Sequence, residues 1–203
     1  MSSLIVPNPD ADYPPRWSTF LEHREKVRRS HAFTRLSDVF PFGNRYRLAH
    51  AFQGLELAGY SSSTKQGYAA LTRVTLYYSA FEAFLRATGK TAEVFLRGLD
   101  PATCLYDIRA ADVDGRFMRF VRMKLTKKSE QRAWDEFLRG RDCSPVILAA
   151  GVRHIFLHGD LTPSSNGTEP AICVAISERL TLALKRTMDR EFAARVAILE
   201  QHP

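Results

Sequence analysis

Three side chains of types that often do chemistry lie close together in a segment that otherwise resembles a protein core. Arg153, His154 and His158 are flanked by the apolar segments 146–152 and 155–157. Burying a cationic or polar group costs free energy unless the group finds a partner. Three interpretations follow. These residues have polar partners and a structural role at a helix end, they bind a metal ion, or they form part of an active site.

The metal interpretation starts from the histidine spacing. His154 and His158 are four residues apart, so both project from one face of a helix, as in zinc sites with an HxxxH pair. A catalytic zinc needs a third protein ligand, and Ile155 stands where a metalloprotease HExxH motif carries its glutamate. The remaining histidines are distant in the sequence: His23, His31, His50 and His202. We expect neither a metal nor another cofactor.

A structural role is the second interpretation. A cationic histidine at a helix C-terminus interacts favourably with the helix dipole. An arginine one turn earlier can pair with Glu82, which lies beside the apolar surface of an earlier predicted helix. This explanation suits one such residue better than three polar groups within six positions.

The third interpretation is a site that handles phosphate. On a helix, Arg153 and His158 are separated by about 140° and by about 7.5 Å along the axis. The guanidinium donors can hold a phosphodiester, and an imidazole titrates close enough to neutrality to exchange a proton. Such a pair can cleave RNA without a metal ion, because a base deprotonates the ribose 2′-hydroxyl while a cation stabilises the charge developing on the phosphate.

Helical patterns cover most of the chain and explain how these residues are positioned. Ser144-Pro145 is a strong helix start, and Gly159 is expected to end that helix near His158. A long helix is predicted from cap residues at 61–66 to Gly89, with an apolar stripe through Leu71, Val74, Tyr78, Phe81 and Leu85, widened by Tyr77, Ala80 and Phe84. The last element, 171–199, has an apolar residue at every fourth position: Ile172, Ile176, Leu180, Leu184, Met188, Phe192 and Val196.

The fold class follows from these patterns. No strand alternation competes with them, so we predict an all-α protein, a bundle of four to five helices with extra N-terminal helices. Residues 1–60 are expected to form an arm and short helices over 16–29 and 45–59, with a break at 41–44. Residues 61–203 form the predicted helical domain.

Positive charge is concentrated in one segment. The formal net charge is +7, and residues 109–141 hold ten Lys or Arg against five Asp or Glu. A basic, amphipathic helix can bind a phosphate backbone, so we expect the segment 116–132 to contribute to RNA affinity through Arg119, Arg122, Lys127 and Lys128. The alternative is that this is an ordinary solvated helix face.

Cysteine use and hydropathy bear on the compartment. Cys104, Cys143 and Cys173 are scattered and lack CxxC spacing, which favours a reducing environment over a disulfide framework. The N-terminus lacks the pattern of a secretory signal, and no apolar run approaches the length of a membrane helix. We therefore expect a cytoplasmic protein.

The hexapeptide RHIFLH (153–158) resembles the signature of the HEPN family, in which an arginine, a polar residue, three variable positions and a histidine follow one another. The context GVRHIFLHGD and the earlier helix YYSAFEAFLR (77–86) are also similar to that family. The resemblance covers roughly residues 64–199. HEPN domains are small and α-helical, and many are metal-independent endoribonucleases of toxin–antitoxin, CRISPR-associated and RNA-processing systems.

The resemblance implies specific roles and partners. Arg153 and His158 would be the catalytic pair, and His154 would help to position the phosphate; we place Glu82 with it in the substrate-binding group. The protein would be a homodimer with the site at its interface, acting on RNA, as a toxin or defence component with a nucleotidyltransferase-type antitoxin as a possible partner.

Two other functions stay open at this point. A HEPN module without nuclease activity would bind nucleotide, RNA or a partner protein. A basic all-α chain can also be a DNA-binding regulator, although no short helix–glycine turn–helix pair supports that function here.

Overall fold

The chain is all-α, as predicted. The computed structural model describes residues 11–92 and 101–202, and within those ranges it contains no β-strand. In chain order the described helices are α1 (Trp17–Glu22), α2 (Val27–Ser30), α3 (Leu36–Ala51), α4 (Ser62–Thr88), α5 (Pro101–Ala111), α6 (Arg116–Lys124), α7 (Lys128–Leu138), α8 (Pro145–Leu157) and α9 (Pro170–Gln201). Within the same ranges, no helix is long and apolar enough to cross a membrane.

The two longest helices, α4 and α9, pack against each other and form the centre of the core. The predicted series of apolar residues on α9 is confirmed, since all its members from Ile176 to Val196 are fully buried and Ile172 is half-buried. On α4 the stripe residues Leu71, Val74 and Phe81 are buried, as are the residues that widen the stripe, whereas Tyr78 and Leu85 are only half-buried. The face of α4 that meets the core is therefore rotated slightly from the predicted centre, and this rotation leaves Tyr78 at the edge.

The predicted break at 41–44 is wrong. Helix α3 runs without interruption through Pro41 and ends at Ala51, so the predicted helix over 45–59 begins earlier and ends sooner. Proline removes one backbone donor, which costs a single hydrogen bond near the start of the helix. Phe42 offsets that loss, because its ring packs 4.9 Å from Phe84 and 5.6 Å from Phe192, measured between centroids.

The N-terminal helices share the core with the rest of the described chain. The predicted helix over 16–29 is divided in two, since α1 ends at Glu22 and a 3-10 turn, Arg24–Lys26, precedes α2. Trp17 of α1 nevertheless stacks on Phe192 of α9 with ring centroids 5.6 Å apart. Farther along, Tyr46 of α3 donates a 2.5 Å hydrogen bond to Asp189 of α9.

The middle of the chain forms three short helices that pack beside α8. Asp112, which is buried, begins the loop between α5 and α6 and accepts hydrogen bonds from the backbone N–H groups of Phe117 and Met118, at 3.3 and 2.9 Å. Carboxylates at this position stabilise a helix start, because the first N–H groups of a helix have no partner within it. The helix then buries Phe117 and Val121 and turns its basic residues outward.

Gly43 allows α1 and α3 to approach closely. A Cβ atom added there would lie 2.2 Å from Cη2 of Trp17, and this ring is packed against Phe20 and Phe192. We expect Gly43→Ala to lower the free energy of unfolding by about 1–3 kcal/mol, even though alanine is the better helix former. Gly54→Ala is the control, because its new Cβ would have no neighbour within 4 Å. Urea unfolding measures both variants, and equal stabilities would contradict the expectation.

Candidate active site

Helix α8 holds the three polar residues and ends as the sequence predicts. Ser144 caps its start by accepting a 3.2 Å hydrogen bond from the N–H of Val146. At the other end, Gly159 has a φ of 80°, and the N–H of Asp160 donates to the carbonyl of Ile155 at 3.2 Å. This is a Schellman motif. It leaves His158 as the exposed residue that caps the helix.

The side chain of Arg153 leaves α8 on a different face from that of His158 and lies between α8 and α4. Its Nη2 is 3.7 Å from Oε2 of Glu82, and its guanidinium carbon lies 5.6 Å from the centroid of the Tyr78 ring. The distance to Glu82 is an ion-pair distance and is too long for a hydrogen bond. Among the described residues, the buried Nε of Arg153 has no hydrogen-bond partner. The guanidinium is therefore held in place by charge and by an aromatic face, and it retains donors for an anion.

His154 and His158 lie side by side. Their ring centroids are 4.4 Å apart and the ring planes meet at 66°. His154 is half-buried and His158 is exposed. Within the described ranges, no set of three His, Cys, Asp or Glu side chains is placed to hold a metal ion. The arrangement provides two adjacent imidazoles with access to solvent, next in sequence to an arginine.

Tyr78 is the residue of this site that sequence reasoning missed. The predicted apolar stripe of α4 includes it, but it stands one helical turn before Glu82 and lies under the guanidinium of Arg153. Burial raises the pKa of its phenol, and the charge of Glu82 raises it further, whereas Arg153 acts in the opposite direction. At neutral pH Tyr78 is therefore an uncharged donor. The spacing of Tyr78 and Glu82, four residues apart, was the signal available in the sequence.

The basic segment is tied to nearby carboxylates and carbonyls. Arg122 binds Asp135 through two hydrogen bonds of 2.7 and 3.0 Å, and its guanidinium lowers the pKa of that carboxyl. Lys127 pairs with Glu130 at 3.2 Å, and Arg119 donates to the carbonyl of Asp114. The Arg122–Asp135 pair joins α6 to α7, the other two contacts are local to the starts of these helices, and together they use much of the local positive charge.

One basic residue of α6 does reach the vicinity of the histidines. Nζ of Lys124 lies 3.1 Å from Oδ1 of Asp160, two residues after His158. Lys128, the first residue of α7, is exposed. The structure thus brings Glu82 to Arg153 and His154 to His158, and it places Arg119, Arg122 and Lys127 in contacts with other residues.

Apolar side chains are exposed around the site. Leu157, next to His158, is 56% exposed, and Met123, next to Lys124, is 67% exposed. On the side facing α4, the rings of Phe156 and Tyr68 lie 6.5 Å apart and continue to Tyr60. Exposed apolar side chains beside a polar site are typical of a surface that binds a partner.

Comparison with known proteins adds no relative: no family model, no curated protein and no solved structure matches the chain.

The incomplete hydrogen bonding of Arg153 leads to a stability prediction. We expect Arg153→Met to leave the free energy of unfolding unchanged or to raise it by up to about 1 kcal/mol, because the variant no longer buries an unpartnered Nε. Arg122→Met is the matched control and should lower the stability, since it breaks both hydrogen bonds to Asp135. Thermal unfolding compares the two. A larger loss in the Arg153 variant would identify Arg153 as a structural residue.

Proposed function

We propose that this chain is a metal-independent endoribonuclease of the HEPN type, with Arg153 and His158 as its catalytic pair. The observation that carries the proposal is an arginine whose buried Nε has no partner in the described structure, on the same helix end as an exposed histidine. An unpartnered buried donor costs free energy, and such costs are typical of functional sites.

The chemistry requires an anion site and a proton acceptor. The guanidinium of Arg153 binds the scissile phosphodiester, and Tyr78 and Glu82 hold the guanidinium in position. His158 accepts the proton of the ribose 2′-hydroxyl, whose oxygen then attacks phosphorus and displaces the 5′-oxygen. Arg153 stabilises the charge that develops on the phosphate oxygens. The products are a 2′,3′-cyclic phosphate and a 5′-hydroxyl once the leaving oxygen has received a proton.

His154 is the second imidazole of the site. Its ring lies 4.4 Å from that of His158, and it helps to position the phosphate. Lys124, Lys128 and the rest of the basic segment would attract the RNA strand by long-range electrostatics. The residues that carry out the chemical step are those at the C-terminal end of α8.

We expect purified protein to cleave RNA in the presence of EDTA and to leave a cyclic phosphate or its hydrolysis product. Arg153→Ala and His158→Ala should each lower the rate at least about a hundredfold, with unchanged circular dichroism. His23→Ala, a histidine of the N-terminal helices, is the control and should retain full activity. Gel analysis of labelled RNA and end-group mapping provide the measurement. Cleavage that EDTA abolishes and zinc or magnesium restores would overturn the mechanism, and no cleavage of any RNA would favour a binding module.

The active site is composite in this proposal. One helix end supplies an arginine and a histidine that acts as a base, but the leaving oxygen also needs an acid. A symmetric dimer supplies a second set of the same side chains. The exposed Leu157 beside His158 marks α8 as part of the surface that would be covered. We place the interface on α8 and α9, with two copies of Arg153 and His158 around one phosphodiester.

Complementation tests the composite site. The protein should be a dimer by light scattering at micromolar concentration, and mixing the inactive Arg153→Ala and His158→Ala variants should restore part of the activity. Activity returns because a mixed dimer retains one intact arginine and one intact histidine facing each other. The control is the His158→Ala variant alone, treated in the same way and at the same total concentration as the mixture. A monomer, or a mixture as inactive as its components, would exclude the shared site.

A further inference from the structure

A cleft unrelated to the Arg153 site lies between α5 and α9, where α8 begins. Its volume is about 570 Å³, within the range of small-molecule pockets. Pro145, the first residue of α8, borders it. Arg153 is eight residues farther along this helix, which corresponds to a rise of about 12 Å. The cleft is therefore at the opposite end of α8 from the candidate active site.

Three arginines of one helix face line this cleft. Arg179, Arg186 and Arg190 all belong to α9. Spacings of seven and four residues return to nearly the same side of a helix, at rises of about 10.5 and 6 Å. The three guanidiniums therefore follow one line along the wall, and each presents a planar fork of donors suited to phosphate oxygens.

Among the described residues, carboxylates pair with two of the three arginines. Asp107 of α5 pairs with Arg179 at 3.2 Å, and Glu191 pairs with Arg190 at 2.9 Å. For Arg186, no ion pair or side-chain hydrogen bond is found among the described residues. Both ion pairs are half-exposed, so an incoming anion can compete for their guanidiniums at little cost.

The remaining wall is apolar or neutral. Leu182 and Ala183 lie between Arg179 and Arg186 on the same helix and face the cleft together with Pro145. Burial raises the pKa of the Cys104 thiol to about 11, so this wall residue stays uncharged at neutral pH. The cleft thus combines an apolar surface with a row of cations.

We propose that the cleft binds a small organic phosphate, with its phosphate groups on Arg186 and Arg190 and its apolar or planar body on Leu182 and Ala183. A single carboxylate would leave most of the arginine row unused, whereas a phosphate or diphosphate presents several oxygens to it. The defined volume favours a small molecule over a nucleic acid strand. This ligand site is independent of the nuclease proposal.

Titration calorimetry of the full chain tests the site with three probes: inorganic phosphate, pyrophosphate and ADP. We expect saturable binding, strongest for ADP, and none for adenosine or benzoate, which lack the phosphate. The double variant Arg186→Gln/Arg190→Gln should weaken ADP binding at least about tenfold, which corresponds to about 1.4 kcal/mol. Both arginines are exposed, so the variant should fold, and circular dichroism verifies this.

Two matched variants make the result specific. Arg132→Gln removes an exposed arginine on α7 and should leave ADP binding unchanged, as should His158→Ala. Failure of all three probes to bind at millimolar concentration would overturn the proposal, as would an equal loss in the Arg132 variant. RNA binding that requires Arg186 while ADP does not bind would show a nucleic-acid surface instead. Loss of RNA cleavage in His158→Ala with intact ADP binding would separate the two sites.

Discussion

The packing of α4 against α9 is the interaction on which the rest of the structure depends. Phe81 and Phe84 of α4 and the buried series of α9 are fully removed from solvent, and each such side chain contributes about 1.5–3 kcal/mol through burial. Helix α8 packs on both of these helices. Its position, and therefore the position of Arg153 and the histidines, is determined by this central pair.

A second constraint acts on α8 from the opposite side. The indole of Trp134, which is fully buried, lies against Gly151, where an added Cβ would be 2.8 Å from Nε1. With α4, α7 and α9 all in contact with it, α8 has little room to rotate. Helix α8 is thus a rigid support for a polar site at its exposed end. Catalytic geometry benefits from such support, because small displacements of reacting groups lower rates strongly.

The chain carries positive charge in two physically different ways. In the segment 116–132, Arg122 pairs with Asp135 across α6 and α7 and Lys127 pairs with Glu130 at the start of α7, and these contacts stabilise the local packing. On α9 three arginines line a cleft whose described lining contains one carboxylate, that of Asp107. Basic residues therefore stabilise helix packing in one place and line the proposed ligand cleft in the other. Net charge alone does not distinguish these two uses.

The sequence by itself determined what depends on local periodicity and on helix ends. Ser144-Pro145 and Gly159 delimit α8 because capping and the left-handed glycine conformation are properties of short segments. The buried series of α9 and the all-α class follow from the spacing of apolar residues. The choice of Arg153 and His158 as the candidate pair rests on the same local spacing, and their catalytic role remains a proposal.

Only the tertiary structure decided which distant residues meet. Pro41 lies inside a helix because Phe42 is buried between α4 and α9. The free energy of that burial comes from residues distant in sequence, so local sequence patterns do not predict it. Tyr78 belongs to the site because α4 is rotated so that its phenol lies under Arg153, and Arg122 is paired because α7 brings Asp135 to it. The cleft between α5 and α9 exists only after both helices have packed. Contacts between segments far apart in sequence depend on how faces are oriented in the folded core, and short-range patterns do not specify that orientation.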